Sequence, residues 1–309
     1  MKLHQIRDLL AVAEKGSLRA AARQLGLAQP SISRSIGQLE RELGVALLER
    51  QARGTVLTPA GKLFARRASA AASELRRGRE EIEQLNEGAE GSITVGFSSV
   101  PLLTLLPAAV APFKKRFARL ELRIVDGAFP AIESRLKDGT VDFYAGVAPG
   151  KQPHAELLLE KLFDNTRVVV ARPGHPLAQA KSLAQLRDAQ WVTTSITDDA
   201  AAEIADLFEL HRLPAPQLGA RITGGVLSLM AILGHSDLLA IVPRQWIESP
   251  LTRGVLRKLE LKEEIAAPPI CLIRRAALPL TPAAEFLCDL LRRAGVQYAR
   301  KSSGPSGRR

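Results

Sequence analysis

Apolar residues along the chain fall into three spacing regimes. In residues 1–58 the spacing is short and helical. Leu3, Ile6, Leu9, Leu10 and Ala13 recur at intervals that predict a helix over 3–14. Gly16 stops it, and Ser17 caps a second helix over 18–25, which Gly26 breaks. A third helix opens at Pro30, whose missing N–H would have no partner in a first turn anyway, and runs to Leu43 before Gly44. Ile32, Ile36, Leu39 and Leu43 form its buried stripe. Ser31, Ser33, Arg34, Gly37, Gln38 and Arg41 face the other way. The small Ala20, Ala21 and Ala22 let the second helix cross the third closely. Helix, glycine turn and a helix with a polar leading face make a helix-turn-helix pattern. An ordinary helical hairpin would show the same stripes. Residues 45–57 read as a wing, with Arg50, Arg53 and Gly54 at a hairpin tip.

A longer helical pattern covers 58–87, opened by Thr58-Pro59. Phe64, Ala68, Ala71, Leu75, Gly78, Ile82 and Leu85 alternate spacings of four and three, a seam of about three heptads. A lone helix of this length needs a partner for its stripe, either a second copy or its own domain. The expectation is a dimer through Phe64, Ala68, Ala71, Leu75, Ile82 and Leu85. The helix opens basic and closes acidic, against its dipole, so these charges serve partners and not the helix itself.

From 91 to 299, strands and helices alternate. Strands are predicted over 92–97, 121–125, 141–146, 167–171, 190–194, 238–242 and 269–274. Helices are predicted over 101–117, 130–138, 200–211, 226–233, 243–247 and 282–293. The alternation implies largely parallel sheets covered by helices, as one large sheet or two lobes with a cleft at the strands' carboxyl ends. The fold class is thus α+β and multidomain: a winged helix-turn-helix over 1–58, a linker helix over 59–90 and an α/β domain over 91–299. Residues 300–309 read as a disordered tail.

Charge sharpens this division. The formal net charge is +11. Its excess sits in residues 1–79, at about nine positive charges, while residues 80–299 are slightly acidic and the last ten carry about four. One end is therefore suited to phosphate and the rest is not. Two cysteines, Cys271 and Cys288, give no disulfide framework and suit a reducing compartment. Both sit in apolar runs, where inert buried thiols are the ordinary outcome. No signal peptide or membrane-length apolar run is evident, so the expected location is cytoplasmic, without membrane association.

Gly16-Ser17-Leu18, Ala21-Ala22, Leu25, Gln29-Pro30, Ser33, Ile36, Leu39-Glu40, Leu43-Gly44, Leu47-Leu48, Arg50 and Leu57-Thr58-Pro59-Ala60-Gly61 follow a familiar order and spacing. The chain resembles the LysR-type transcriptional regulators over these residues, and its length and layout agree with that family throughout. Leu18 and Leu48 stand where phenylalanine is commoner, a change of packing. The resemblance implies a dimer, often a dimer of dimers, bound to an interrupted palindrome in double-stranded DNA near a promoter, with RNA polymerase among its partners. It also implies an effector domain like the periplasmic binding proteins, with lobe one over 91–165 and 268–299 and lobe two over 166–267. Val125-Asp126-Gly127, His235-Ser236-Asp237-Leu238-Leu239 and Leu280-Thr281-Pro282-Ala283-Ala284 further resemble a subgroup that regulates toluenesulfonate degradation and a galactose-binding protein.

For DNA, the candidates are Gln29, Ser31, Ser33, Arg34 and Gln38 at base edges and Pro30 against a thymine methyl. Ser17, Arg19 and Arg50 would hold phosphate, and Arg53 would enter the minor groove. For the effector, Ser98, Ser99 and Val100 join a strand end to a helix start, which favours a small anion such as a carboxylate or sulfonate. Ser99 acting only as a helix cap is the competing reading. Gly127, Ala128, Phe129, Val147 and Ala148 would line one wall, and Thr194, Ser195, Gly224 and Gly225 the other. No cofactor is expected. An enzyme finds little support, because the histidines are scattered and the phosphate-loop, dinucleotide and nucleophile-elbow patterns are missing. The Asp198-Asp199 pair reads as a solvated helix start. A cytoplasmic small-molecule-binding protein without DNA function is the other alternative.

Overall fold

The computed structural model describes residues 1–51, 54–84, 90–149, 156–194, 199–222, 225–252 and 254–303. The head consists of α1 (Leu3–Lys15), α2 (Leu18–Leu25) and α3 (Gln29–Leu43), then the antiparallel hairpin of β1 (Leu48–Gln51) and β2 (Gly54–Leu57). Gly26 ends α2 at φ 64°, a left-handed turn that lets α3 leave across it. Leu9, Val12, Ala21, Ala22, Ile32, Ile36, Leu39 and Leu47 form the core. Leu18 and Leu48 pack on its rim. Leu3 and Leu43, expected in buried stripes, are 66% and 39% exposed, because they sit at helix ends beyond the reach of this small core. The Glu40 carboxylate accepts the N–H groups of Leu47 and Leu48 at 2.8 and 3.1 Å, which ties the wing to α3.

The linker helix α4 spans Pro59–Gln84. The Thr58 hydroxyl caps it, accepting the Gly61 N–H at 2.9 Å and donating to the Ala46 carbonyl at 2.8 Å. Gly61 lies so close to the wing that a Cβ there would stand 2.0 Å from the Leu47 carbonyl oxygen. The expected dimer seam divides in two. Phe64 is half-buried against the head core, and Ala68 is buried within the chain itself and so is not open to a second helix. Ala71, Leu75 and Ile82 are exposed. The opposite face, with Ser73, Arg77 and Glu80, is buried. Leu85 lies outside the described residues.

The remaining strands are β3 (Gly91–Phe97), β4 (Leu120–Asp126), β5 (Phe143–Val147), β6 (Leu157–Ala171), β7 (Gln190–Thr194), β8 (Gln217–Ile222), β9 (Ala240–Pro243), β10 (Arg257–Lys258) and β11 (Ile265–Arg275). Seven of them share one sheet in the order β10-β6-β11-β5-β3-β4, with β9 paired to β6; β7 and β8 form a separate parallel pair. Within the large sheet only β3 with β4 and β3 with β5 are parallel. The expectation of largely parallel sheets is thus corrected to a mixed one. The cause is the long pair β6 and β11, which runs antiparallel through both lobes. β11 pairs with Arg167–Asn165 through Ile265–Ala267 and with Phe163–Leu157 through Ile270–Arg275. The register breaks where Pro268 and Pro269 interrupt the ladder. The chain therefore crosses between lobes on two adjacent strands.

The helices are α5 (Ser99–Thr104), α6 (Leu106–Arg116), α7 (Phe129–Lys137), α8 (Asp199–Leu210), α9 (Val226–Gly234), α10 (Gln245–Glu248) and α11 (Pro282–Ser303). The single helix expected over 101–117 is two, since Pro107 cannot donate back to Leu103 and its ring crowds that carbonyl. α11 continues through 300–303, so that part of the expected disordered tail is helical. Lobe one is centred on Val95, Phe97, Phe113, Phe143, Ile270 and Leu287. Lobe two has clusters around Trp191 and Phe208 and around Val192, Leu233 and Trp246.

Gly61→Ala tests the seating of α4 on the wing. The added methyl overlaps backbone, so the expected loss is about 1–3 kcal/mol of head stability. It is measured by urea unfolding of wild type and variant, and an unchanged midpoint refutes the contact.

Candidate DNA-binding surface and effector cleft

Helix α3 buries Ile32, Ser35, Ile36 and Leu39 and leaves Gln29, Pro30, Ser31, Ser33, Arg34 and Gln38 exposed. Arg34 Nε lies 3.4 Å from the Pro30 carbonyl, a bond that leans the side chain along the helix towards its start. Arg19 on α2 and Arg50 on β1 are exposed as well. The Ser17 hydroxyl oxygen accepts the Ala20 N–H at 3.4 Å, which completes the cap and leaves its O–H free to donate outward. Arg53 lies outside the described residues. The exposed set offers amide, hydroxyl and guanidinium groups, the chemistry that reads base edges and phosphates.

In lobe one, the carboxyl ends of three strands converge. Phe97 stands opposite both Asp126 and Ala145. The Ser98 N–H donates to the Ala145 carbonyl and the Gly127 N–H to the Phe97 carbonyl, both at 3.0 Å. Ser98, Gly127, Ala128, Val147 and Ala148 are thereby brought to one sheet end. Val100 and Phe129 are not available there: they are 0% and 5% exposed, held in the lobe's core clusters. Ser99 does not cap α5. Ser98 holds that position, without a side-chain bond, and the Ser99 hydroxyl accepts the Trp246 indole N–H at 3.1 Å. Trp246 belongs to a lobe-two cluster on which Leu103 of α5 also packs, so the lobes touch here. Thr194 ends β7, while Ser195 and Gly224 lie outside the described residues. Gly225 precedes α9, and a Cβ there would meet nothing within 4 Å, so no neighbour demands its close approach.

The sequence reading passed over Trp246 and Tyr144. The Tyr144 ring lies along the sheet over two glycines. A Cβ on Gly96 would stand 3.0 Å from Tyr144 Cδ2, and one on Gly146 would stand 2.1 Å from its hydroxyl. The phenol therefore reaches the strand ends beside Ser98. Both hydroxyls are buried without a properly formed hydrogen bond. Burial pushes the phenol well above its ordinary range; the nearby Ser98 hydroxyl opposes this and Asp126 adds to it. Tyr144 is 0% exposed and shares its core cluster with Phe129, so its hydroxyl lies behind the strand ends and not at their open surface. A tyrosine next to a phenylalanine looks like core; only its pairing with the distant Gly96 shows the recess.

A separate depression of about 500 Å³ opens at the other end of β7, lined by residues including His175, Leu177, Gln190, Asp237 and Leu238. Among the described residues no group of three or more histidine, cysteine, aspartate or glutamate side chains is placed to hold a metal, and no helix is long and apolar enough to cross a membrane. Cys271 and Cys288 are free and buried, and burial pushes both thiols up.

Two family models match this layout. Residues 3–62 match the bacterial regulatory helix-turn-helix protein of the lysR family, and residues 86–295 match the LysR substrate binding domain. The regulator TdcA of Escherichia coli is 25% identical over 232 residues, covering 75% of this chain and 74% of its own. The SDS degradation transcriptional activation protein of a Pseudomonas strain is 27% identical, covering 94% and 95%. Full-length CbnR, a LysR family regulator, superposes with a TM-score of 0.70 at 21% identity over 96% of this chain and 99% of its own. CbnR in complex with its target DNA superposes at 0.68, also at 21% identity, over 95% and 100%. The chain belongs to the LysR family of DNA-binding transcriptional regulators and carries that family's substrate-binding domain for an effector. These relatives do not single out the toluenesulfonate and galactose-binding-protein subgroup.

Two measurements test the assigned surfaces. Arg34→Ala should weaken binding to a preferred duplex by about 1–3 kcal/mol while leaving non-specific binding nearly intact; unchanged discrimination removes Arg34 from base readout. A thiol reagent at neutral pH should label Cys271 and Cys288 only after denaturation, and rapid labelling of the native protein contradicts their burial.

Proposed function

We propose that two copies of the chain join along the exposed Ala71, Leu75 and Ile82 of α4 and set their α3 helices in the major grooves of an interrupted palindrome. The DNA reading rests above all on α3, whose aliphatic side is buried and whose polar side is fully presented. Gln29, Ser31, Ser33, Arg34 and Gln38 meet base edges, Pro30 a thymine methyl, and Ser17, Arg19 and Arg50 phosphates. Dimerisation is supported by Leu75 and Ile82, 56% and 66% exposed on one face of a 26-residue helix. Such dimers can pair again into tetramers. Acting on DNA places the protein in the cytoplasm, where it alters access or recruitment of RNA polymerase at a promoter. No catalytic role is assigned to it.

The effector reading has the Ser98 hydroxyl, Ser99, Gly127, Ala128, Val147 and Ala148 on one side and Thr194 and Gly225 on the other. A small molecule rich in hydrogen-bonding groups fits them. The carboxylate or sulfonate suggested by the sequence has only the start of α5 in its favour. Asp126, at the end of β4 near Tyr144, places an opposing carboxylate by the same rim. An effector that bonds both lobes stabilises their closed arrangement and so shifts its population.

Selection from a pool of random duplexes tests the DNA reading. Recovery of a two-fold symmetric consensus supports it, and indifference to sequence at low salt leaves a small-molecule-binding protein without DNA function. Leu75→Glu should convert the dimer into monomer in sedimentation velocity and lower the affinity for the selected duplex at least tenfold. A variant that stays dimeric moves the interface elsewhere.

A further inference from the structure

Ser99 opens α5 at the effector wall of lobe one, and its hydroxyl is held from lobe two. The Trp246 indole N–H donates to Ser99 Oγ at 3.1 Å. Trp246 is 5% exposed and packs in a cluster with Val170, Leu229, Leu233 and Val242. Leu103, one turn further along α5, lies against the same cluster. α10 is also tied to lobe one through α11. There the Tyr298 hydroxyl donates to Glu248 Oε2 at 2.9 Å, and its ring lies 4.8 Å from that of Phe163. Arg244 meets the other oxygen of Glu248 at 2.8 Å. The Thr252 hydroxyl donates to the Trp246 carbonyl. Packing and these bonds fix the indole, and so fix the direction from which it reaches Ser99.

A serine hydroxyl ordinarily serves as donor or acceptor, because its O–H rotates to suit its partner. An indole N–H only donates. Ser99 Oγ must therefore turn a lone pair to Trp246 and its proton elsewhere. Ser99 is half-buried, and among the described residues its hydroxyl makes no second hydrogen bond. The O–H is thus the group left over for the cleft. Accepting one hydrogen bond strengthens the donation of the next. A ligand without an acceptor at this point would cover that O–H and leave it unbonded, at the cost of its lost hydration.

We propose that Trp246 is a positioning residue for the effector site: from lobe two it sets Ser99 of lobe one as a hydrogen-bond donor, so that the effector presents an acceptor oxygen there, as a carboxylate, sulfonate or carbonyl group does. The donor role of Ser99 stands on the indole contact; that an effector meets it rests on the cleft reading above. Withdrawal of α10 from α5 frees the hydroxyl to rotate and removes the discrimination.

Ser99→Cys turns the hydroxyl into a titratable probe on the full-length chain. An indole N–H that donates to sulfur favours the thiolate and lowers the pKa of the thiol; Trp246→Phe takes that donor away and raises it again. Cys271 and Cys288 are buried, so the added thiol is read by its rate of alkylation with iodoacetamide, a small reagent with a carbonyl acceptor, across a range of pH. The midpoint of the profile should lie higher in Ser99→Cys/Trp246→Phe than in Ser99→Cys, with the rate at neutral pH about threefold lower. A change of access alone alters the plateau rate and not the midpoint. Circular dichroism confirms folding. Because Trp246→Phe also removes packing, the contact is read independently in the proton–nitrogen spectrum: Ser99→Ala should move the Trp246 indole signal upfield and leave that of Trp191 in place. Equal midpoints with and without the indole overturn the positioning role, as does a Trp246 signal that Ser99→Ala leaves unmoved. Failure of the cleft reading is a different result: the indole signal moves as expected, yet the thiol at position 99 resists alkylation in the folded chain. That outcome removes the effector from Ser99 and overturns the ligand half of the proposal.

Discussion

A helix of fifteen residues cannot hold its shape in water while showing one polar face to a ligand, unless its other face is buried. Everything in the head follows from meeting that condition with very few side chains. Ile32, Ile36 and Leu39 are covered by Leu9, Val12, Ala21, Ala22 and Leu47, and the alanines matter because they let α2 lie close enough to close the core. Glu40 then uses one carboxylate oxygen to gather two backbone donors of the wing. The wing is thus registered to the recognition helix by a charge-assisted contact and not by its own short ladder. The polar side of α3 stays free because nothing else in the head needs it.

The C-terminal domain solves a different problem, that of keeping two lobes distinct yet joined. Two adjacent antiparallel strands, β6 and β11, serve both lobes, and the ladder between them loosens at Pro268 and Pro269. The break in pairing falls where the two strands pass from one lobe's core to the other's. The α5–α10 contact, with Leu103 and Ser99 against Trp246, joins the lobes at a second place.

Local patterns were legible in the chain, and long-range ones were not. The head's helices, their glycine ends and the Thr58 cap are written in neighbours three or four residues apart, and their boundaries differ from the observed ones by a residue at most. The first ten residues of β6 and the whole of β8 escaped because LLLEKLF has no alternation and QLGARI holds a glycine and an arginine within six residues. Val100 and Phe129 were placed at the effector wall because they follow strand ends, yet each turns inward at the start of its helix. The acidic close of α4 reads in the sequence as serving partners, and only the fold shows Arg76 and Arg77 beside it meeting Asp142 and Gly139 of the same chain.

The chain has two tryptophans, Trp191 and Trp246. Trp191 is sealed in the lobe-two core beside Phe208, with its rings edge to face. Trp246 points its indole N–H across the lobes at a serine hydroxyl. Separation of the lobes would exchange that serine for water and leave the first ring untouched. The molecule therefore carries its own optical gauge: a constant emitter inside one lobe and a second whose colour and intensity follow the gap between them.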